Sequence, residues 1–158
     1  LNYVRADDAT GSSWGGAVVP DSAGVVGAQA SVAVVDGRPA IAYLNVTDSE
    51  LKYVRAANAD GTAWGIPISL DNSGDVGFYP SLTVVDGRPA VAYQDQGIDI
   101  LKYVRAEDAG GVAWSDPLIA DGSDSAGRSA SIAVVAGRPA IAHYDPTGNN
   151  LRYTFADR

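Results

Sequence analysis

The chain has 158 residues, of which 46% are hydrophobic, a net charge of −8 and no cysteine. This composition is that of a folded protein, and the lack of cysteine excludes disulfide bonds and thiolate metal sites. The acidic balance disfavours nucleic acid as a partner, because phosphates attract basic surfaces, and no apolar stretch is long enough to span a membrane. The sequence also contains no methionine, which predicts a processed product or an excerpt of a longer protein.

The chain repeats itself every fifty residues. Residues 1–50, 51–100 and 101–150 align without insertions, and residues 151–158 begin a further copy. The positions that are identical in the three copies are Leu1, Tyr3, Val4, Arg5, Ala6, Ala9, Gly11, Trp14, Asp21, Gly27, Ser31, Val34, Val35, Gly37, Arg38, Pro39, Ala40 and Ala42, each with its equivalents fifty and one hundred residues later. We therefore predict a single repeat domain over residues 1–158, because repeated units bury their apolar faces against one another.

Each copy contains four short segments with the alternation and β-branched content of strands. In the second copy these segments are Leu51–Ala56, Trp64–Leu70, Ser81–Val85 and Arg88–Tyr93. Asp86 and Gly87 predict a tight turn between the last two segments, because both residues tolerate left-handed dihedral angles. No window has helical periodicity, so the predicted fold class is all-β. A β-sandwich is the alternative, but it does not account for identical fifty-residue units.

Four strands in a unit of about 40–50 residues are typical of a β-propeller blade. The segments resemble the blades of sialidase-like propellers, in which a glycine and a tryptophan of the Asp-box loop join the third and fourth strands. Gly61 and Trp64 match that loop, whereas Ala59 replaces its aspartate, and the same holds in the other two copies. The resemblance implies that Ser81–Val85 is the innermost strand, A, and that the strands called B, C and D follow it outwards.

Packing between neighbouring blades follows from this assignment. Val32, Val34, Trp14 and their equivalents are expected to pack between sheets. Ala40 and Ala42 are expected to be small because the blades crowd together near the propeller axis.

Both ends of the predicted array are incomplete. The segments run C-D, then A-B-C-D twice, then A-B-C, which gives three four-stranded repeats and one extra C-terminal strand. A propeller ring has about 4–8 blades, so we predict head-to-tail association with other copies of the chain into a ring or a filament; the alternative is that the chain is a piece of a longer natural array. Thr154 and Phe155 replace the Val and Arg of the other copies, as expected of a cap or docking strand, although drift of a last repeat is the alternative. The residues predicted to take part in assembly are Leu1, Tyr3, Leu151, Tyr153 and Phe155.

One face of the array varies between copies. The A-B and C-D turns are nearly invariant, whereas the B-C and D-A connections, which share the other face of a blade, differ in each copy. A constant scaffold with diversified loops is typical of a binding platform, and we predict that this face binds a glycan or a surface protein. The candidate ligand-binding residues are Phe78, Tyr79, Gln94, Asp95, Arg128, His143, Tyr144 and Asp145. The alternatives are that exposed loops vary without function, and that His143 only substitutes for the tyrosine of the other copies.

The sequence favours no catalytic site. Arg5 and Arg38 recur in every copy, which argues for a repeated structural role rather than a unique sialidase centre, and no nucleophile elbow surrounds any serine. The aspartates of 71–75 and 121–124 do not have EF-hand spacing. We therefore expect neither a metal, nor a cofactor, nor enzymatic activity.

The predicted location is extracellular or at the cell surface. Asn45 begins a glycosylation sequon in a connection expected to be exposed. Two alternative functions stay open: a structural subunit of an extracellular filament or ring built by strand complementation, and a sialidase-like glycosidase.

Overall fold

The computed structural model describes residues 1–156, which form eleven strands. The strands are β1 (Val26–Val35), β2 (Arg38–Asn45), β3 (Glu50–Arg55), β4 (Ile68–Asp71), β5 (Val76–Val85), β6 (Arg88–Asp95), β7 (Ile100–Arg105), β8 (Leu118–Asp121), β9 (Arg128–Val135), β10 (Arg138–Asp145) and β11 (Asn150–Phe155). No helix occurs in the described residues, and hence none that crosses a membrane. The predicted all-β class is confirmed.

The strands form three antiparallel sheets, each a meander of neighbouring strands. The first sheet has the order β1-β2-β3-β4 and the second the order β5-β6-β7-β8, while the third has β9, β10 and β11. Residues 1–21 precede them as an N-terminal hairpin, whose arms are joined by the two bridges Tyr3–Val18 and Ala6–Trp14. The predicted succession of strands A to D is therefore the observed order, with the hairpin in the place of the first C-D pair.

The boundaries of strands A and D differ from the prediction. Strand A begins at Val26 and Val76, because the ladder to strand B continues through an irregularity in which Gln29 and Tyr79 both have a φ of 50°. Strand D of the first sheet contains only Ile68–Asp71. Residues 65–67 lie outside the strand, although the Gly65 N–H donates to the Arg55 carbonyl at 3.0 Å, and Pro67 has no N–H to donate.

The inner strands of successive sheets lie side by side. The backbone N–H of Leu82 in β5 donates to Ser31 Oγ of β1 at 3.0 Å, and that of Ile132 in β9 donates to Ser81 Oγ at 3.1 Å. The same serine position therefore ties each strand A to the next one. This is the arrangement expected of blades around a common axis.

Apolar residues fill the junction between successive sheets. Leu51 and Tyr53 of the first sheet pack in one cluster with Val76, Leu82 and Val91 of the second. Because side chains alternate along a strand, each sheet presents one set of apolar residues to the preceding sheet and another set to the following one.

An aromatic pair recurs at the outer part of these junctions. Trp64 stands edge-on to Tyr3 with ring centroids 5.0 Å apart, and Trp114 stands in the same way on Tyr53 at 5.1 Å. Gly61 lies against the Tyr3 ring, and a Cβ on this glycine would be 2.5 Å from Tyr3 Cε1. The glycine and the tryptophan of this loop therefore pack each sheet against a tyrosine of the preceding one.

The expectation that Val32, Val34 and Trp14 pack between sheets is wrong for the first copy. Their exposed fractions are 61%, 69% and 61%, whereas Leu82 and Ile132, which are equivalent to Val32, are exposed by only 7% and 8%. In the described residues no inner strand precedes β1 and no sheet precedes the hairpin that carries Trp14. Val134, the equivalent of Val34 in the third copy, is also exposed by 42%, although β5 precedes its strand. Ala40 and Ala42 are fully buried, in agreement with the predicted crowding.

Candidate functional site

The ends of strands D and B and the starts of strands A and C meet at one end of each sheet. Val26 of β1 pairs with Asn45 of β2, and Leu51 of β3 pairs with Asp71 of β4. The residues that vary between copies therefore share this end, which we call the variable-loop face. The A-B turn at Asp36 lies at the opposite end.

A buried polar cluster crosses from the first sheet to the second at this face. Tyr93 donates its hydroxyl to Asp71 Oδ2 at 2.6 Å, and Lys102 Nζ lies 3.1 Å from the same oxygen and 2.7 Å from Asp95 Oδ2. Asp71 belongs to the first sheet, whereas the other three residues belong to the second. The cluster is therefore a tie between sheets, made of two carboxylates, a phenol and an ammonium group.

The ionisation of the cluster follows from these contacts. Burial alone would raise the pKa of Asp71, but hydrogen bonds from Tyr93, Ser73 and Lys102 outweigh it and lower this pKa below its ordinary value. The pKa of Tyr93 is raised mainly by burial and, to a smaller extent, by the hydrogen bond to Asp71. Burial would lower the pKa of Lys102, but the two carboxylates raise it. The stable state at neutral pH is thus a charged pair with a neutral phenol.

The same cluster recurs between the N-terminal hairpin and the first sheet. Tyr43 donates to Asp21 Oδ2 at 2.5 Å, and Lys52 Nζ lies 3.5 Å from that oxygen. Asn45 takes the place of Asp95 and donates to Glu50 Oε1 at 2.9 Å. Burial would raise the pKa of Asp21, but the bonds from Tyr43 and Ala23 and the charge of Lys52 lower it.

The third cluster, between the second and third sheets, has a histidine in place of the tyrosine. His143 Nε2 lies 3.3 Å from Asp121 Oδ2, and His143 Nδ1 accepts the N–H of Gly127 at 3.1 Å. Since Nδ1 accepts, the proton of the neutral ring lies on Nε2, the ring nitrogen that is nearer to Asp121. Arg152 replaces lysine, with Nε 2.9 Å from Asp145 Oδ2, although its N–H is not directed at that oxygen. His143 is therefore held inside a structural tie.

Four of the candidate ligand-binding residues are buried at this face. Gln94, Asp95, His143 and Asp145 have exposed fractions of 0%, 5%, 1% and 1%. Asp95, His143 and Asp145 are partners in the clusters, and Gln94 donates to Asp99 Oδ1 at 3.2 Å. In this structure their side chains contact other residues of the protein.

The other four candidates reach the surface. Tyr144 is 40% exposed, and Phe78, Tyr79 and Arg128 are half-buried. The strand register brings Arg128 opposite Tyr144 and Phe78 opposite Gln94. The exposed candidates therefore lie on two neighbouring sheets, and their binding role stays a prediction.

Asn45 does not lie in an exposed loop, contrary to expectation. It is the last residue of β2, its side chain is fully buried, and its Nδ2 donates to Asp48 Oδ2 at 2.8 Å and to Glu50. The connection that follows is short because strand B is longer than predicted. In the folded chain the amide nitrogen is occupied and inaccessible, so burial argues against glycosylation at this position.

The predicted assembly residues lie at the two ends of the stack. Leu1 and Tyr3 are half-buried against the first sheet, and Phe155 lies under Arg138, whose guanidinium carbon is 5.6 Å from the ring centroid. Leu151 and Tyr153 are exposed by 77% and 61%. Among residues 1–156 no group of three or more acidic, histidine or cysteine side chains is arranged to hold a metal ion.

Sequence reasoning missed the role of Asp21 and Ser31, although both positions are identical in all copies. The aspartate position anchors each polar cluster, and the serine position receives the N–H of the next inner strand. Identity between copies was the available signal for both.

No family model and no curated protein matches the chain. Among solved structures, the chain is similar to an exo-β-1,3-galactanase from Phanerochaete chrysosporium crystallised with β-1,3-galactotriose, with 16% identity and a TM-score of 0.59. The similarity covers 98% of this chain and 38% of the galactanase, so the chain spans less than two thirds of that protein. The galactanase is a β-propeller glycosidase, and the similarity shows that the three sheets have a propeller-like fold.

Replacing Asp71 by Asn tests the tie between sheets. We expect a loss of about 2 kcal/mol of unfolding free energy at pH 7, because Tyr93 loses its charged acceptor and Lys102 loses one of its two carboxylate partners. The native pKa of Asp71 is lowered, so its contribution is present above the ordinary value of about 3.9 and is lost as the pH falls through the native pKa. Urea unfolding from pH 7 to pH 2 should therefore show a smaller acid loss in D71N than in the parent.

The matched control is D75N, which changes an exposed aspartate four residues away. It should keep the parent's stability and acid dependence. Equal acid losses in D71N and the parent would contradict the assigned tie.

Proposed function

We propose that the chain is a non-catalytic, extracellular propeller-type repeat module that associates head to tail and presents the variable-loop face for binding. The observation that carries this proposal is that the two ends of the stack expose copies of surfaces that are buried at the internal junctions. Head-to-tail contact between two copies would bring these surfaces together in the internal geometry.

The C-terminal end face consists of Val135, Leu151 and Tyr153 on the third sheet. Leu151 is exposed by 77% and Tyr153 by 61%, whereas the equivalent Leu101 and Tyr53 are exposed by 0% and 2%. The same side chains are therefore core residues inside the stack and surface residues at its end.

The N-terminal end face consists of Val32 and Val34 of β1. Val32 is exposed by 61%, whereas the equivalent Leu82 is exposed by 7%. At the internal junction Leu82 packs in one cluster with Leu51 and Tyr53, the equivalents of Leu151 and Tyr153. The two end faces are complementary for that reason.

Association through these faces is favourable because exposed apolar side chains are removed from water. Burying one Val or Leu side chain contributes about 1.5–3 kcal/mol to the association free energy. The loss of translational and rotational entropy on association opposes this contribution. The contact is heterologous, so its rotation decides between a closed ring and a filament. A filament or ring whose role is purely structural is the alternative form of the same proposal.

The arginines support a non-catalytic role. Arg55 donates from Nε to the carbonyl of Val35 at 3.0 Å and from Nη2 to Asp36 Oδ2 at 2.6 Å, and Arg105 makes the equivalent contacts to the next A-B turn. Each arginine thus fastens strand C to its own sheet. The observation that favours the third candidate, a glycosidase, is the similarity in fold to the galactanase.

Two variants, each with a charge introduced on one of the two end faces, test the association. L151D places a charge on the C-terminal end face, and V32D places one on the N-terminal end face. The parent should form oligomers larger than the 16.2 kDa chain, whereas each variant alone should stay monomeric. An equimolar mixture of the two should form only dimers, because each pair has one intact end face of each kind. Light scattering after size exclusion measures these masses.

The control is I66D, which introduces the same charge at a side chain that is 89% exposed and on neither end face. It should assemble like the parent. A monomeric parent at all concentrations, or assembly of L151D alone, would contradict the proposal.

The variable-loop face stays free when the end faces meet, and we propose that it binds a glycan or a protein. Tyr144 is its most exposed aromatic candidate, and its hydroxyl donates to Asn149 Oδ1 at 2.7 Å, which fixes the ring. On a glycan array that includes β-1,3-galactan oligosaccharides, Y144F should retain binding by ring stacking and Y144A should lose about tenfold or more in affinity. Equal binding of Y144A and the parent would exclude this residue.

A further inference from the structure

A cavity lies at the same place in each junction, and it is largest at the last one. Its volume is about 150 Å³ beside Tyr3, about 290 Å³ beside Tyr53 and about 670 Å³ beside Tyr103. At the first two junctions a Gly-Trp loop of the following sheet covers the tyrosine. At the third, the floor of the cavity is formed by Tyr103 and Pro139, the equivalents of the residues that contact Gly111.

The outer side of the third sheet is open next to this cavity. Strands β3 and β7 each pair with a strand D, in the register Lys52–Ser69 and Lys102–Ile119. In the described residues β11 pairs only with β10. Leu118 of β8, which faces this region, is 61% exposed, whereas the equivalent Ile68 is half-buried near Trp114.

The chain itself contains a segment with the features of a strand D and its loop. Residues 11–21 read GSSWGGAVVPD, with Gly11 and Trp14 at the positions of Gly111 and Trp114. Trp14 is 61% exposed and Val19 is 57% exposed. This segment is held to residues 1–6 by two bridges and by backbone hydrogen bonds of 3.0 Å from the Gly15 N–H to the Arg5 carbonyl and from the amino terminus to the Asp21 carbonyl.

The residues of β11 fit those of the third sheet, so we expect β11 to stay paired with β10 when two copies associate. Thr154 Oγ1 lies 3.5 Å from His143 Nε2, so two residues that depart from the other copies meet. In the first and second sheets the arginine of strand C bonds to an aspartate of the A-B turn. In the third sheet Phe155 stands in place of that arginine and Ala136 in place of that aspartate. Arg138 covers the Phe155 ring instead. These paired replacements indicate that strand C of the third sheet is β11 and not the hairpin of another copy.

We propose that residues 14–21 of a second copy add to β11 as the fourth strand of the third sheet, with Trp14 seated in the cavity on Tyr103. Residues 1–6 of the second copy are released, and β11 takes their place, so that Tyr153 meets Trp64 of the second copy. This inference rests on the proposed head-to-tail association and names the segment that performs it. The occupant is a second copy because the chain carries both halves of the contact.

Engineered cysteines test this register, since the chain has none of its own. By analogy with Lys52–Ser69, Arg152 of one copy should lie opposite Val19 of the next, and opposed strand residues are close enough for a disulfide. On mild oxidation R152C/V19C should form a ladder of multiples of 16.2 kDa on a non-reducing gel. The control R152C/I66C, with an exposed cysteine outside the segment, should form no ladder.

A second pair tests the release of residues 1–6. N2C/V19C places cysteines opposite each other within the hairpin, since Tyr3 pairs with Val18. Its oxidised form should lose assembly in light scattering, and reduction should restore it.

The outcomes separate this inference from the proposed function. If R152C/V19C forms no ladder while L151D and V32D still dimerise on mixing, the end faces meet without strand addition and the inference is wrong. If oxidised N2C/V19C assembles like the parent, the release of residues 1–6 is wrong. A parent that stays monomeric overturns both proposals.

Discussion

The fold depends on the contact that each sheet makes with the next one. A leucine and a tyrosine on one face meet Leu82 or Ile132 on the facing sheet, and at the first two junctions the tyrosine also meets a tryptophan. An isolated four-stranded sheet would leave both of its apolar faces in water. Stability is therefore shared between neighbours, as in other repeat proteins, and the faces at the two ends of the stack are the surfaces on which the proposed association rests.

A second, polar contact fixes how the sheets are placed relative to one another. The buried Asp71 accepts from Tyr93 and pairs with Lys102 across a junction, which satisfies each polar group at a defined distance. Apolar packing tolerates sliding, whereas a buried carboxylate is costly when it loses its partners. The cluster lies beneath the variable-loop face, so the same residues that hold the sheets together also support the loops that differ between copies.

The repeat, the all-β class and the order of strands could be predicted because they follow from identity between copies and from strand periodicity. The positions of the candidate binding residues could not. Gln94 and His143 were expected at a ligand site because they vary, but they vary as buried members of pairs that change together, such as His143 with Thr154. The exposure of Val32 was also missed, because periodicity identifies the apolar face of a strand but does not show whether a sheet covers that face.

Hydrogen exchange of single amides, measured at several protein concentrations, reports directly on contact between copies. The N–H of Leu82 and that of Ile132 are bonded to serines of the preceding inner strand, and the equivalent N–H of Val32 faces the N-terminal end. If copies meet head to tail, the Val32 amide should exchange rapidly in dilute protein and more slowly at high concentration, and so should the amides of residues 151–155 at the other end. Exchange at Val32 that does not change with concentration, or slowing at only one end, would contradict head-to-tail contact between copies.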